Sequence, residues 1–116
     1  MEEIEVEVDD YEMTKMLLAK LGLIEKHEGE KIRTRWMKGG VEFDIDTWPG
    51  IPTFLEIEAT SWEDVDNAAE SLGLRKDERK VCSVNEMYRH YGIEANDYRK
   101  ATFEGMVRKD GRPDSR

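Results

Sequence analysis

Between Lys31 and Glu58 the chain alternates with period two, the repeat that sends successive side chains to opposite faces of a strand. Ile32, Thr34 and Trp36 share one face of a first strand, with Lys31, Arg33 and Arg35 opposite. Val41, Phe43 and Ile45 oppose Glu42, Asp44 and Asp46 in a second, and Leu55 and Ile57 oppose Glu56 and Glu58 in a third. Residues 3–8 obey the same rule, with Glu3, Glu5 and Glu7 against Ile4, Val6 and Val8, and predict another strand. Lys38-Gly39-Gly40 reads as a hairpin turn, and Trp48-Pro49-Gly50-Ile51-Pro52 as a loop that no regular central strand accommodates.

Between and after these strands the period changes. Asp9 or Asp10 offers an N-cap for a helix from about Tyr11 to Leu21, with Met13, Met16, Leu17 and Leu21 as its apolar stripe and Gly22 as its stop. Residues 25–30 are polar, a loop or frayed strand ends. Ser61-Trp-Glu-Asp64 resembles a capping box for a helix to about Leu72, and Ser83-Val-Asn-Glu86 opens another that reaches Tyr91 before Gly92. Residues 75–80 form a solvated charge run. Beyond residue 93 no period is clear, which predicts at most a short helix near Asp97–Phe103 and then a disordered tail. The expected organisation is a domain over residues 1–93 and a partly disordered extension over 94–116. The fold class is α+β: an antiparallel sheet of about four strands in the order β-α-β-β-β-α-α, with helices on its apolar face. Its charged face either meets solvent or lines a groove or tunnel.

The composition narrows the chemistry. The chain has 116 residues, of which 39% are charged, and a net charge of −9. General nucleic-acid binding would call for a basic footprint and is not expected. A single cysteine, Cys82, excludes an internal disulfide, argues against a cysteine-based zinc site, and is expected to be inert and partly buried. No apolar run approaches membrane-spanning length and no leader pattern opens the chain, so a cytoplasmic, reduced protein is the expectation. His27 and His90 are expected at the surface or at helix ends, and Arg108, Lys109, Arg112 and Arg116 as solubilising charges in the tail.

Local charge carries more than the total. On a strand, residues two apart stand about 7 Å from one another, a pitch that suits Lys31, Arg33 and Arg35 to successive phosphates. Asp44, Asp46, Glu56 and Glu58 are hard oxygen ligands suited to Mg²⁺ or a like cation shared with phosphates, and Glu3, Glu5 and Glu7 add further carboxylates. The competing reading is an ion-paired, wet sheet face. Trp48 shares the parity of Asp44 and Asp46 and is the candidate for stacking on a base, whereas Trp36 and Trp62 are expected in the core.

Taken in order, Glu3-Ile-Glu5-Val-Glu7, Lys31-Ile-Arg33-Thr-Arg35, Phe43-Asp44-Ile-Asp46-Thr-Trp-Pro and Phe54-Leu-Glu56-Ile-Glu58, followed by Leu72-Gly73 and Met87-Tyr88, resemble the CYTH family of class IV adenylate cyclases and thiamine triphosphatases. The resemblance implies an antiparallel triphosphate tunnel in which Lys31, Arg33 and Arg35 contact phosphate. It implies Glu56 and Glu58 as ligands of Mg²⁺ or Mn²⁺, with Asp44, Asp46, Glu3 and Glu5 as further candidates. The reaction would be triphosphate hydrolysis or nucleotide cyclisation; the alternative is a non-catalytic module that binds or sequesters a nucleotide, or an assembly protein on the same sheet. Two departures stand out. Glu7 occupies a position where the family carries lysine, and the chain supplies about half of a tunnel. A homodimer that closes one tunnel from two half-sheets is the expected partner arrangement, with a nucleotide or organic polyphosphate as ligand.

Overall fold

The structure, a computed structural model, describes residues 2–112 and 114. In chain order it contains helix α1 (Tyr11–Lys20), strands β1 (Glu28–Gly29), β2 (Ile32–Lys38), β3 (Val41–Thr47) and β4 (Phe54–Glu58), helices α2 (Trp62–Ser71) and α3 (Val84–His90), and strands β5 (Tyr98–Thr102) and β6 (Gly105–Arg108). Short 3-10 turns lie at Lys76–Glu78 and Ala95–Asp97. Strands β2-β3-β4 form an antiparallel meander, and β1-β5-β6 form a second sheet in which β1 runs parallel to β5. Neither sheet closes into a barrel among the described residues.

Local chemistry accounts for the element ends. Asp10 accepts from the Met13 N–H, Ser61 from Asp64 and Ser83 from Glu86, so each α-helix starts on a side-chain cap. The β2–β3 turn requires positive φ at both central residues, and Gly39 and Gly40 supply it at 57° and 79°. That turn sets Lys38 opposite Val41 and carries the register down to Ile32 opposite Thr47.

The main hydrophobic cluster is not under the meander. Ile51, Tyr88, Ile93 and Tyr98 form it, with Trp48, Phe54, Val84, Met87, Ala95 and Met106 packed against it. The Trp48–Pro52 loop is held there by the Tyr88 hydroxyl, which donates to the Pro49 carbonyl at 2.6 Å. Helix α2 packs on β3 and β4 and buries Ala68 and Ala69.

Several expectations are corrected. Residues 3–8 form no strand: they pair with nothing among the described residues, and Ile4 is 95% exposed. Alternation predicts which faces a strand would have, but a strand also needs a partner edge for its N–H and C=O groups. Helix α1 does not cover the sheet, and Met13, Met16, Leu17 and Leu21 are exposed. Trp36 (62% exposed) and Trp62 are likewise outside the core, and Cys82 is exposed rather than partly buried. Residues 98–108, expected to carry at most a short helix and the start of a disordered tail, instead form the β5–β6 pair, which joins β1 some seventy residues upstream, and residues 113, 115 and 116 of that tail lie outside the described residues. Of the tail cations, Arg116 lies outside the described residues.

The molecule is extended. Its radius of gyration is 17.7 Å, against about 13 Å for a compact chain of this length. Exposed large apolar side chains concentrate between Ile4 and Ile24 and along β2. No helix among the described residues is long and apolar enough to cross a membrane.

Candidate functional site

The meander collects its charges on one face. Residues directly opposite in an antiparallel pair point the same way, and the register sets Arg33 against Asp46, Arg35 against Asp44, Asp44 against Glu56 and Glu42 against Glu58. The face therefore carries two arginines and five carboxylates, bounded at one end by Phe54, which lies opposite Asp46. Phe54 also packs on the main cluster.

Each arginine is clamped by the carboxylate across the strand. Arg33 donates from Nε and Nη2 to the two oxygens of Asp46 at 2.8 and 2.9 Å, and Arg35 does the same to Asp44 at 2.9 and 3.1 Å. Arg33 Nε also lies 3.5 Å from Asp44 Oδ2, and Arg35 Nη2 lies 3.5 Å from Glu42. Asp44 and Asp46 are buried, at 1% and 0% exposure, whereas both arginines reach the surface. Planar forks of this kind fix the guanidinium in one orientation. Neither Nη1 group takes part in a hydrogen bond among the described residues.

The Arg35 guanidinium, hydrogen-bonded to Asp44, holds that carboxyl below its ordinary value against the opposing push of burial. The stability this pair contributes is therefore fully present above the unfolded carboxyl pKa of about 3.9 and is lost as pH falls through the lower folded value. Melting temperatures recorded from pH 7 to pH 2 are expected to decline below about pH 4, and Asp44→Asn is expected to flatten part of that limb while lowering stability near neutrality.

Of the other candidates, Lys31 lies just before β2 with its Nζ 5.3 Å from the centroid of the Trp48 ring, a cation–π contact. Glu56 and Glu58 stand exposed on β4 and make no hydrogen bond or ion pair among the described residues, although the charge of Glu56 acts on Arg33. The fold thus brings together Arg33, Arg35, Asp44, Asp46, Glu56 and Glu58, with Lys31 at the end of the row. Glu3 and Glu5 are not brought to this face.

No group of three or more His, Cys, Asp or Glu side chains is arranged to hold a metal ion among the described residues. The donor chemistry of Glu56 and Glu58, two unpaired carboxylates on one face, fits Mg²⁺ or Mn²⁺ held by one or two carboxylates with the remaining positions filled by water and phosphate oxygens.

Sequence reasoning missed a cavity of about 310 Å³ beside Trp48. Lys26, His27, Tyr88, Tyr98 and Lys109 contribute to its wall. Trp48 is half-buried, and its Nε1–H is buried with no acceptor among the described residues. These residues come from five separate stretches with no shared period, so only the aromatic and basic residue types stand out in the sequence.

The sequence model of one family, described as the CYTH domain, matches residues 1–91. A 57-residue stretch is 40% identical to "Putative adenylate cyclase MJ0240" of Methanocaldococcus jannaschii, covering 49% of this chain and 33% of that protein. The chain thus matches about a third of that relative's length. No solved structure matches the chain.

Proposed function

The chain belongs to the CYTH family, whose members are triphosphate tunnel metalloenzymes, and on that premise we propose that it binds a nucleotide or another organic polyphosphate along the charged face of β2, β3 and β4. Arg33 and Arg35 contact phosphate oxygens through their free Nη1 edges, and Lys31 adds a point charge at the Trp48 end. Asp44 and Asp46 keep the arginines aimed, so that little order is lost on binding. Glu56 and Glu58 hold Mg²⁺ or Mn²⁺ against the same phosphates. A cation so placed supplies charge neutralisation at the phosphoryl oxygens. Trp48 is the stacking surface for an organic moiety. A second copy completes the tunnel, and residues 94–116 are a C-terminal extension of the domain formed by 1–93.

The observation that carries this reading is the pair of arginine forks, in which the buried aspartates leave the same guanidinium edge free on both side chains. Calorimetric titration with inorganic tripolyphosphate, with and without Mg²⁺, tests it. Binding that tightens with Mg²⁺ is expected. Glu56→Gln/Glu58→Gln is expected to remove the Mg²⁺ dependence while retaining metal-free binding. Absence of heat with either anion or metal sinks the reading. Assay of released phosphate and of cyclic nucleotide from ATP separates hydrolysis, cyclisation and simple binding.

A second reading, binding without turnover, is favoured by one observation. Glu7 stands where the family signature carries lysine, and it lies on a segment that joins no sheet among the described residues. Under that reading the titration succeeds and neither product appears.

A further inference from the structure

We propose that residues 3–8 of one copy add as a strand to the β2 edge of a second copy, so that each protomer supplies Glu3, Glu5 and Glu7 to the other's arginine row. This deepens the dimer proposed above, and rests on it, by naming the element exchanged.

Two unsatisfied features of the same chain match one another. Strand β2 is an edge of its sheet, and all of its residues are exposed. Its outer row of N–H and C=O groups is a template for another strand. Residues 3–8 alternate as a strand does, yet pair with nothing among the described residues.

Their charges are complementary. Glu3, Glu5 and Glu7 have the same two-residue spacing as Lys31, Arg33 and Arg35. With Glu5 beside Arg33, the other two acids fall beside Lys31 and Arg35 whether the added strand runs parallel or antiparallel. The same register puts Ile4 and Val6 on the face of Ile32 and Thr34. Ile4 is 95% exposed, Val6 79% and Ile32 58%, so the pairing removes apolar surface from water. A one-residue slip would set acids beside apolar residues, which excludes the odd registers.

The donor is a second copy because the protomer leaves both halves of the match apart. Its α1 connection does not return residues 3–8 to β2, and the apolar stripe of α1 stays uncovered. Exchange about a two-fold axis is reciprocal: each protomer gives one strand and receives one.

Light scattering on the eluting protein, at micromolar concentration, tests the exchange. The wild-type chain is expected at twice 13.5 kDa. Glu5→Pro/Val6→Pro is expected at the single mass, because adjacent N–H groups point to opposite sides of a strand and one of the two must face β2. Glu5 and Val6 are exposed and join no sheet among the described residues, so this variant should keep a cooperative thermal transition. Glu3→Lys/Glu5→Lys/Glu7→Lys is expected to dissociate by like-charge repulsion, and β2 amides should exchange hydrogen faster in both variants than in wild type. A wild-type monomer, a proline variant that remains dimeric, or β2 exchange unchanged by the prolines overturns the proposal. Tripolyphosphate titration on the same samples keeps the two ideas separate: a dimer that binds no anion retains the exchange and loses the ligand, and a monomer that binds loses the exchange alone.

Discussion

Arg33→Ala is expected to lower the unfolding free energy by about 3 kcal/mol and to reduce tripolyphosphate affinity at least tenfold. The stability loss arises because Asp46 is fully buried and takes both of its hydrogen bonds from Arg33. Removing the guanidinium takes both hydrogen bonds from the Asp46 carboxylate and leaves its charge without the partner across the strand. Breaking a buried pair from one side costs about 3–5 kcal/mol, and the lower end applies because Arg33 itself reaches solvent. Replacing both partners with apolar residues, Arg33→Met/Asp46→Leu, is expected to recover most of the stability without recovering anion binding. Urea denaturation of the wild type, both single variants and the double variant measures the coupling, and calorimetry reads the affinity. If Arg33→Ala and the double variant are equally unstable, the pair is not the source of the loss.

Ile93→Ala is expected to cost about 3 kcal/mol by urea denaturation. Ile93 is 2% exposed and sits among Ile51, Tyr88 and Tyr98, with Trp48 packed against the same cluster. Truncation removes methylene groups from that contact and leaves a cavity that the surrounding side chains fill only in part. Because the cluster also carries the Pro49 loop, the variant is expected to increase quenching of Trp48 fluorescence by iodide. The measurement is informative because Ile93 joins the charged meander to the β5–β6 segment. A loss below about 1 kcal/mol, the range of conservative core changes, would mean that the C-terminal elements contribute little to stability.

Much of the meander was legible in the residues. Period-two alternation named its three strands and its two faces, and two consecutive glycines named the hairpin between β2 and β3. Strand pairing then followed from turn length, so Arg33 opposite Asp46 was implicit in the spacing. What alternation did not contain was depth. Asp44 and Glu56 lie on the same face, yet the first is buried under a guanidinium and the second is exposed, because β3 is flanked on both sides and β4 on one.

The second sheet was illegible for a different reason. Glu28–Gly29 is only two residues long and acquires strand conformation by pairing in parallel with Lys100 and Ala101. A segment that short carries no periodicity of its own. The β5–β6 strands likewise read as irregular sequence because Tyr98-Arg-Lys-Ala-Thr102 shows no strict alternation and its pairing with β6 contains an irregularity. Residues 3–8 failed in the opposite direction: a strong pattern without a partner remained unpaired. The core followed the same logic, since Tyr88 and Ile93 meet Ile51 only through a loop that periodicity treats as a break.

The amino-acid sequence by itself determined the charged row of Lys31, Arg33 and Arg35, the carboxylates that face it, the capped helix starts and the family to which the chain belongs. These rest on neighbours within a turn or a strand, where local geometry decides. Only the tertiary structure decided which carboxylates clamp the arginines, where the hydrophobic cluster lies, that residues 95–108 form part of a sheet, and that the N-terminal segment and β2 both present unpaired edges. Each of those depends on groups far apart in the chain competing for burial and hydrogen bonds, and that competition is resolved only when the elements pack.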